Sequence, residues 1–350
     1  MDETRKKLVA RDSSVAARSG GQRLRAFASY LKREHPSGND MGTQELSLGE
    51  TPATACRRGA LTIGNFDGVH RGHLALLDSL AKKAQELGGP AVALTFDPHP
   101  LQLLRPEQFQ PVLTTVSDRA EIMAARGADQ VVILRTTPEL LQLTARDFFQ
   151  KVIREQLEAR CLVEGENFCF GRNREGTVQS LTQLMQEAGL APPTIVPAVR
   201  FQGTPVSSSR VRSALLNSHV REAATLLDRP YRIRGRVGTG QRRGQKLGFP
   251  TANLEQVTTL IPGDGVYAVR AVLDGKVWGG AANVGPNPTF GEGARKVEVH
   301  VLDFAGDLYG QVLAVDFVDH LRNVQSFAGV DQLVEQLRAD VERARRILEE

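Results

Sequence analysis

Two histidines three residues apart, His70 and His73, lie in the segment Gly64-Asn65-Phe66-Asp67-Gly68-Val69-His70-Arg71-Gly72-His73. The segment follows a short apolar run and opens a stretch with helical periodicity. Gly64 and Gly68 let the backbone turn tightly and come close to a ligand. The first turn of a helix presents unpaired N–H groups and the positive end of the dipole, a ready site for phosphate. The spacing places both imidazoles on one face. There they can donate hydrogen bonds to charge developing on an α-phosphate under in-line attack, stabilising it without a covalent intermediate. Taken alone, a His-x-x-His pair is equally a helix cap and a surface residue. A zinc reading is weaker, because the usual helical pair is spaced i, i+4 beside a Glu.

Other segments carry compatible chemistry. Thr95-Phe96-Asp97-Pro98-His99-Pro100 ends an apolar run. Ser207-Ser208-Ser209-Arg210-Val211-Arg212 sets hydroxyls beside guanidinium groups, a pairing that suits phosphate oxygens but also makes ordinary helix caps. The Gly- and Arg/Lys-containing loop from Gly240 to Lys246 suits a phosphate cradle. It leads into Gly248-Phe249-Pro250-Thr251-Ala252-Asn253, where Thr251 and Asn253 are hard oxygen ligands fit for Mg²⁺, although so short a peptide alone reads as a turn. Strand alternation turns Glu298 away from Val297, Val299 and Val301. Without further context that describes a solvated Glu on an edge strand.

The elements that position these residues fall into two grammars. From Ala60 to about Asn217, strands expected at Ala60–Ile63, Ala91–Phe96, Gln130–Leu134, Cys161–Glu164 and Thr194–Val196 alternate with helical stretches. Leu74, Leu77, Leu80, Ala81, Ala84 and Leu87 mark one helix face, stopped by Gly88-Gly89. This predicts a doubly wound parallel sheet with ligands beyond the strands' carboxyl ends. After Leu227, alternation at Tyr231/Ile233/Val237, Val297/Val299/Val301 and Leu313/Val315/Phe317 predicts an antiparallel barrel. A closing helix carries Val330, Val334, Leu337, Val341, Ala344 and Leu348 on one face. Residues 1–45 lack sustained apolar periodicity and read as a disordered extension, with Met41 an alternative start. The first domain is expected over 46–218, a linker over 219–229 and the second domain over 230–350.

At 350 residues the chain is long enough for two cores. No run approaches the roughly 18 apolar residues of a membrane span, no secretory signal is evident, and Cys56, Cys161 and Cys169 lack CxxC spacing. A reducing cytoplasm is the expectation. Net charge is +4, yet nine arginines lie between Arg200 and Lys246, opposed only by Glu222 and Asp228. A solvated surface, a nucleic-acid groove and a polyphosphate site all fit that excess. The thin aromatic interleaving argues against nucleic acid.

The ten-residue histidine segment resembles the HxGH nucleotidylyltransferases, in the GNFDGVHxGH form of the bacterial bifunctional riboflavin kinase/FMN adenylyltransferases. The resemblance extends in family order over about residues 60–345: TFDPHP, the SSTRIR-like Ser207–Arg212, Leu226–Tyr231, LGFPTANL, Ala282–Phe290 and Lys296–Phe304. It implies a Rossmann-like nucleotidylyltransferase domain with a parallel sheet, followed by an antiparallel β-barrel riboflavin kinase domain and a C-terminal helix. Riboflavin would be phosphorylated to FMN, and FMN adenylylated to FAD, with ATP and Mg²⁺.

The resemblance implies His70, His73 and Arg210 as catalytic groups of the first domain, with Gly64, Phe66, Asp67, Gly68, Ser208 and Ser209 binding ATP. In the second it implies Glu298 as general base for the riboflavin 5′-hydroxyl. Gly240, Gly244, Lys246, Gly248, Thr251 and Asn253 would bind ATP, with Mg²⁺ on Thr251 and Asn253. Asn167, Phe168 and Arg322 are the implied flavin contacts. Gly165-Glu166-Asn167-Phe168-Cys169-Phe170-Gly171 departs from the family's G(Y/D)DFRFG: Asn167 replaces an acid and Cys169 an Arg. A kinase with an impaired adenylyltransferase half is therefore the first alternative. A catalytically inactive flavin- or nucleic-acid-binding regulator is the second. The partners expected are riboflavin, FMN, FAD and ATP, with no nucleic acid and no membrane.

Overall fold

A computed structural model of the chain describes residues 42–239, 244, 247–287 and 292–349. The first half is built on the strands β1 (Thr43–Leu46), β2 (Ala60–Ile63), β3 (Ala91–Asp97), β4 (Gln130–Arg135) and β5 (Cys161–Gly165). A small hairpin follows, β6 (Cys169–Phe170) with β7 (Gly176–Thr177), then β8 (Thr194–Val196) and the ribbon β9 (Arg200–Phe201) and β10 (Thr204–Pro205). The main sheet has the order β1-β4-β3-β2-β5-β8 and every pairing in it is parallel. The chain moves outward from β2 through β3 to β4 on one side and continues through β5 to β8 on the other. The switch point, where such sheets bind ligands, therefore lies between β2 and β5.

Helix α1 (Arg71–Leu87) crosses from β2 to β3. Leu74, Leu77, Leu80 and Ala84 are buried against the sheet, and Gly88 caps the helix in the left-handed conformation. Helices α2 (Val116–Ala125) and α3 (Val178–Glu187) and the helical stretch 145–156 also bury residues in the core of this half. β1 overlaps the end of the stretch 1–45 that reads as disordered: Thr43–Leu46 adds a parallel edge strand to β4. Four residues with a single buried side chain, Leu46, are too short for a periodic signal, and pairing with β4 supplies the order.

Helices α4 (Ser208–Leu216) and α5 (Val220–Leu227) connect the halves. The stretch 219–229, read from sequence as a linker, thus contains a helix whose Val220, Ala223, Leu226 and Leu227 are buried.

The second half is a closed barrel of β11 (Tyr231–Gly238), β12 (Ala252–Glu255), β13 (Gly265–Leu273), β14 (Lys276–Asn287), β15 (Glu292–Val301) and β16 (Val312–Arg322). Its strand order is β11-β12-β15-β14-β13-β16, with β16 pairing back to β11. Closure removes the edges that an open sheet would expose. Tyr231, Ile233 and Val237, Val297 and Val299, and Leu313, Val315 and Phe317 point into its core. That core is continuous with Leu113, Val206, Val211 and α5, so the halves share one apolar cluster. Helix α6 (Val330–Glu349) lies outside the barrel on Val266, Ala268 and Leu321 through Ala344, Ile347 and Leu348. Of its expected face, Val334, Leu337, Val341 and Leu348 are half-buried and Ala344 is buried. Val330 is exposed, whereas Asp340 is buried, because it receives a bidentate ion pair from Arg322.

Candidate active sites

The loop joining β2 to α1 leaves the sheet at the switch point. The β2–β5 ladder ends after Leu61 and Leu162. Beyond it the Ile63 N–H donates instead to the Glu164 carboxyl at 2.9 Å. Burial pushes the Glu164 pKa well above the ordinary carboxylate range, against the opposing pull of the Ile63 hydrogen bond.

The loop is held in an unusual shape. Phe66, Gly68 and Val69 have φ of 46°, 81° and 39°. The left-handed region is uncomfortable for a β-branched residue, at a cost of about 1–3 kcal/mol for Val69. A Cβ on Gly68 would meet Leu113 at 2.8 Å, so glycine is required there on two counts. Polar contacts enforce the conformation from all sides. The Asn65 carbonyl accepts from Thr95 Oγ1 at 3.1 Å, the Asp67 carbonyl from Ser208 Oγ at 2.9 Å, and the Gly68 N–H donates to Thr114 Oγ1 at 3.1 Å. Arg229 donates to the carbonyls of Gly68 at 2.6 Å and Val69 at 3.0 Å.

His70 caps α1. Its Nδ1 accepts the His73 N–H at 3.4 Å, and the two rings stack with centroids 3.7 Å apart and 14° between planes. Phe66 tilts against His73 at 5.1 Å. Burial lowers the His70 pKa to about 4, with Arg229 pulling the same way and Asp67 opposing. Burial likewise holds His73 well below its ordinary value, helped by His70, Arg119 and Arg229. The pair is therefore neutral at neutral pH. A neutral imidazole donates through one nitrogen. His73 Nδ1 is buried and without a hydrogen-bond partner among the described residues.

The remaining expected residues of the first site divide in two. Gly64 continues the sheet, its N–H donating to the Leu94 carbonyl at 3.0 Å. Ser208 reaches the loop and Ser209 is exposed beside it, while Ser207 caps α4. Asp67 is turned inward, 2% exposed. Its carboxylate accepts from the N–H groups of Leu113 and Thr114 and pairs with Arg212 at 2.5 Å. Arg210 is not brought to the histidines: it pairs with Glu222 at 2.9 Å, donates to the Phe201 carbonyl and lies over the Phe201 ring. Of the two arginines in that segment, Arg212 is the one that meets the histidine loop. Asn167 is exposed on the loop after β5, and Phe168 stacks on Phe170 with centroids 5.4 Å apart.

Two arginines at the site are not among the expected site residues. Arg119 on α2 is 2% exposed and donates to Thr95 Oγ1 and the Phe96 carbonyl. Its one signal was a charged residue on the same helix face as Ala120 and Met123. Arg229 is buried enough that its pKa falls to about 10, leaving it charged at neutral pH.

In the barrel, Asn253 on β12 lies opposite Glu298 on β15, and Glu298 lies opposite Asn283 on β14. The three form a row across three strands on the outer face, since Ala252, Leu254, Val297, Val299, Ala282 and Val284 are buried. Thr251, two residues before Asn253, shares that face. Gly244 approaches the same turn: its carbonyl accepts from Phe249 at 2.8 Å, and a Cβ there would stand 2.3 Å from the Phe249 carbonyl. Gly248 has φ 84°. His300 touches the Pro250 carbonyl at 2.8 Å and meets Phe249 edge-on, bracing the turn that carries Thr251. Gly240 and Lys246 lie outside the described residues. Arg322 is held by Asp340 and lies 5.7 Å from the Phe327 ring, at the foot of α6.

A family model described as FAD synthetase matches residues 53–210, and one described as riboflavin kinase matches residues 227–348. The chain belongs to the bifunctional riboflavin kinase/FMN adenylyltransferase family. A member from Pseudomonas fluorescens is 40% identical over 82% of this chain and 92% of its own length. One from Escherichia coli is 36% identical over 85% of this chain and 95% of its own. A crystal structure of a protein named as a macrolide-efflux protein, from Streptococcus pneumoniae, matches with a TM-score of 0.78 and 31% identity over 87% of this chain and 99% of that one. The efflux name stays with that protein. What the two share is the arrangement of parallel sheet followed by barrel. The chain is thus a bifunctional enzyme, a riboflavin kinase and an FMN adenylyltransferase in one polypeptide.

Proposed function

We propose that the two reactions are divided between the two sites just described, with the row Asn253–Glu298–Asn283 as the observation that carries the kinase assignment. Riboflavin's 5′-hydroxyl oxygen attacks the γ-phosphorus of ATP, its proton passes to Glu298, and ADP leaves. Catalysis there is mainly positioning and charge neutralisation. Thr251 and Asn253 offer neutral oxygens on one face beside a carboxylate, a donor set that fits Mg²⁺, which typically takes few protein ligands and completes its shell with water and phosphate. When bound, the ion would offset charge on the β- and γ-phosphates. The turn containing Gly244 and Gly248 lets backbone approach the same phosphates.

In the first domain, a phosphate oxygen of FMN attacks the α-phosphorus of a second ATP. The bond to the β-phosphate breaks and pyrophosphate leaves. His70 and His73, neutral and stacked at the start of α1, donate hydrogen bonds to the oxygens that gain charge, alongside the helix N–H groups. Ser208 and Ser209 lie on the adjoining helix start. Arg210 serves this site only by leaving Glu222. Asn167 and Phe168 supply a polar and an aromatic contact for the isoalloxazine at the rim. Arg322, if released by Asp340, would be the flavin or ADP contact of the barrel.

A timed chromatographic assay with riboflavin, ATP and Mg²⁺, resolving riboflavin, FMN and FAD, tests the scheme. FMN rising first and FAD following is the expected course. FMN accumulating without FAD would leave the kinase assignment standing and place the fault at the Asn167–Cys169 loop. Among the described residues no helix is long and apolar enough to cross a membrane, and we place the enzyme in the cytoplasm with its small-molecule partners.

A further inference from the structure

The loop that carries the histidines of the first domain is fastened by residues belonging to the lead-in and first strand of the second. Arg229, two residues before β11, donates through both Nη atoms to the successive carbonyls of Gly68 and Val69 and also to Leu227. Those carbonyls immediately precede the histidine that caps α1, in the stretch where Gly68 and Val69 hold positive φ. Residues on either side of Arg229 grip α2 and its C-terminal cap. Asp228 pairs with Arg126 at 3.0 Å and Arg234 with Asp118 at 2.7 Å. On the far side of the loop, the barrel's Leu260 N–H donates to the Val112 carbonyl at 2.9 Å. The neighbouring residues Leu113 and Thr114 bind the Asp67 carboxylate and the Gly68 N–H.

We infer that Arg229 is a positioning residue for FMN adenylylation, and that the adenylyltransferase site is complete only when the start of the kinase half is docked against it. The inference rests on the reading of His70 and His73 as the adenylylation site. A left-handed valine has no intrinsic reason to stay in that conformation, and the hydrogen bonds from a partly buried cation to its carbonyl and the one before it supply one. Without them the Gly68–Val69 peptide can relax toward ordinary φ. His70 would then swing out of register with the helix N–H groups that share its phosphate. Positioning errors of about 1 Å are enough to cost about 100-fold in rate. Beside burial, which is the larger cause, the cation also helps keep both imidazoles uncharged, against Asp67 at His70 and together with Arg119 at His73.

The test uses the full chain carrying Arg229→Gln or Arg229→Lys, with the two reactions assayed separately: riboflavin plus ATP for FMN, and supplied FMN plus ATP for FAD. The expected result is a fall of about 100-fold in kcat for FAD formation by Arg229→Gln, with KM for FMN within about threefold of the parent. FMN formation by the same preparation should stay within about twofold, showing the fold intact. Arg229→Lys, which keeps the charge and one donor at a time, should recover about a tenth of the parent's rate or more. Unchanged FAD formation in Arg229→Gln would overturn the inference. So would a loss confined to KM, which would make Arg229 a binding contact, or a parallel fall of both activities, which would make it a general scaffold residue. Failure of the parent protein itself to make FAD would instead refute the underlying site assignment.

Discussion

The ring of His70 lies flat on the ring of His73, with centroids 3.7 Å apart, while the His70 Nδ1 accepts the His73 backbone N–H. Two stacked imidazoles with little access to water cannot both carry charge cheaply. In the folded protein His70 protonates near pH 4 and His73 well below its ordinary value, whereas in the unfolded chain both protonate near 6.5. The unfolded state therefore binds more protons as pH falls through 6.5 toward 4, and stability drops over that window. Each histidine should contribute about 1.4 kcal/mol per pH unit. Urea titrations at intervals from pH 7.5 to 4.5 will show the decline. The double variant His70→Asn/His73→Asn should flatten it, and an equal slope in that variant would contradict the assignment.

The same pair governs the second reaction alone. His70→Asn and His73→Asn should each lower FAD formation from supplied FMN by about 100- to 1,000-fold, the usual effect of removing one donor to developing charge. Phosphorylation of riboflavin should be unaffected, because Glu298 and its neighbours lie on a different domain. Separate initial-rate assays of the two steps decide this.

The reverse dissociation is expected at Glu298. Glu298→Gln keeps the size and the hydrogen-bonding capacity of the side chain between Asn253 and Asn283. Loss of the base should lower FMN formation by about 100- to 10,000-fold. FAD formation from supplied FMN should persist, and product analysis with each substrate supplied alone makes the comparison.

Glu164 gives a prediction about stability with the opposite pH sign. Its carboxyl is buried at the divergence of β2 and β5, accepts the Ile63 N–H at 2.9 Å and stays protonated well above the ordinary range. Above about pH 4.3 the unfolded chain loses this proton while the folded chain keeps it, so stability declines as pH rises. Glu164→Gln retains the acceptor for Ile63 without that penalty. The variant should match the parent near pH 4.5 and exceed it as pH rises above the ordinary carboxylate range in denaturant titrations. A variant less stable at pH 8 would show that the carboxyl proton or charge has another partner.

Much of the architecture was legible because it is written in local periodicity. The helix face from Leu74 to Ala84, the stop at Gly88 and the alternating valines around Glu298 each follow from the repeat of a single element, and all are observed. The edge strand at Thr43–Leu46 was not legible, since its order comes from pairing with β4. Helix α5, expected as linker, is ordered by an apolar cluster that runs into the barrel. The burial of Asp340 within α6 was not legible either, because its partner, Arg322, is distant along the chain.

What the sequence alone determined about this protein is the identity and order of its chemical groups: the histidine pair in its glycine-framed turn, the hydroxyl and amide of Thr251 and Asn253, and the carboxylate of Glu298. Such groups are specified by residue type and by spacing within one turn or one strand, and both are local properties. Which arginine meets which loop was decided by tertiary structure alone. Arg210 and Arg212 are two residues apart on one helix, yet Glu222 takes the first and Asp67 the second. Arg229 reaches the histidine loop from the start of the barrel domain, and Arg119 on α2 reaches Thr95, whose hydroxyl holds the loop's Asn65 carbonyl. A long cationic side chain pairs with whatever acceptor folding brings within its reach, and that acceptor is set by the packing of segments far apart in the chain.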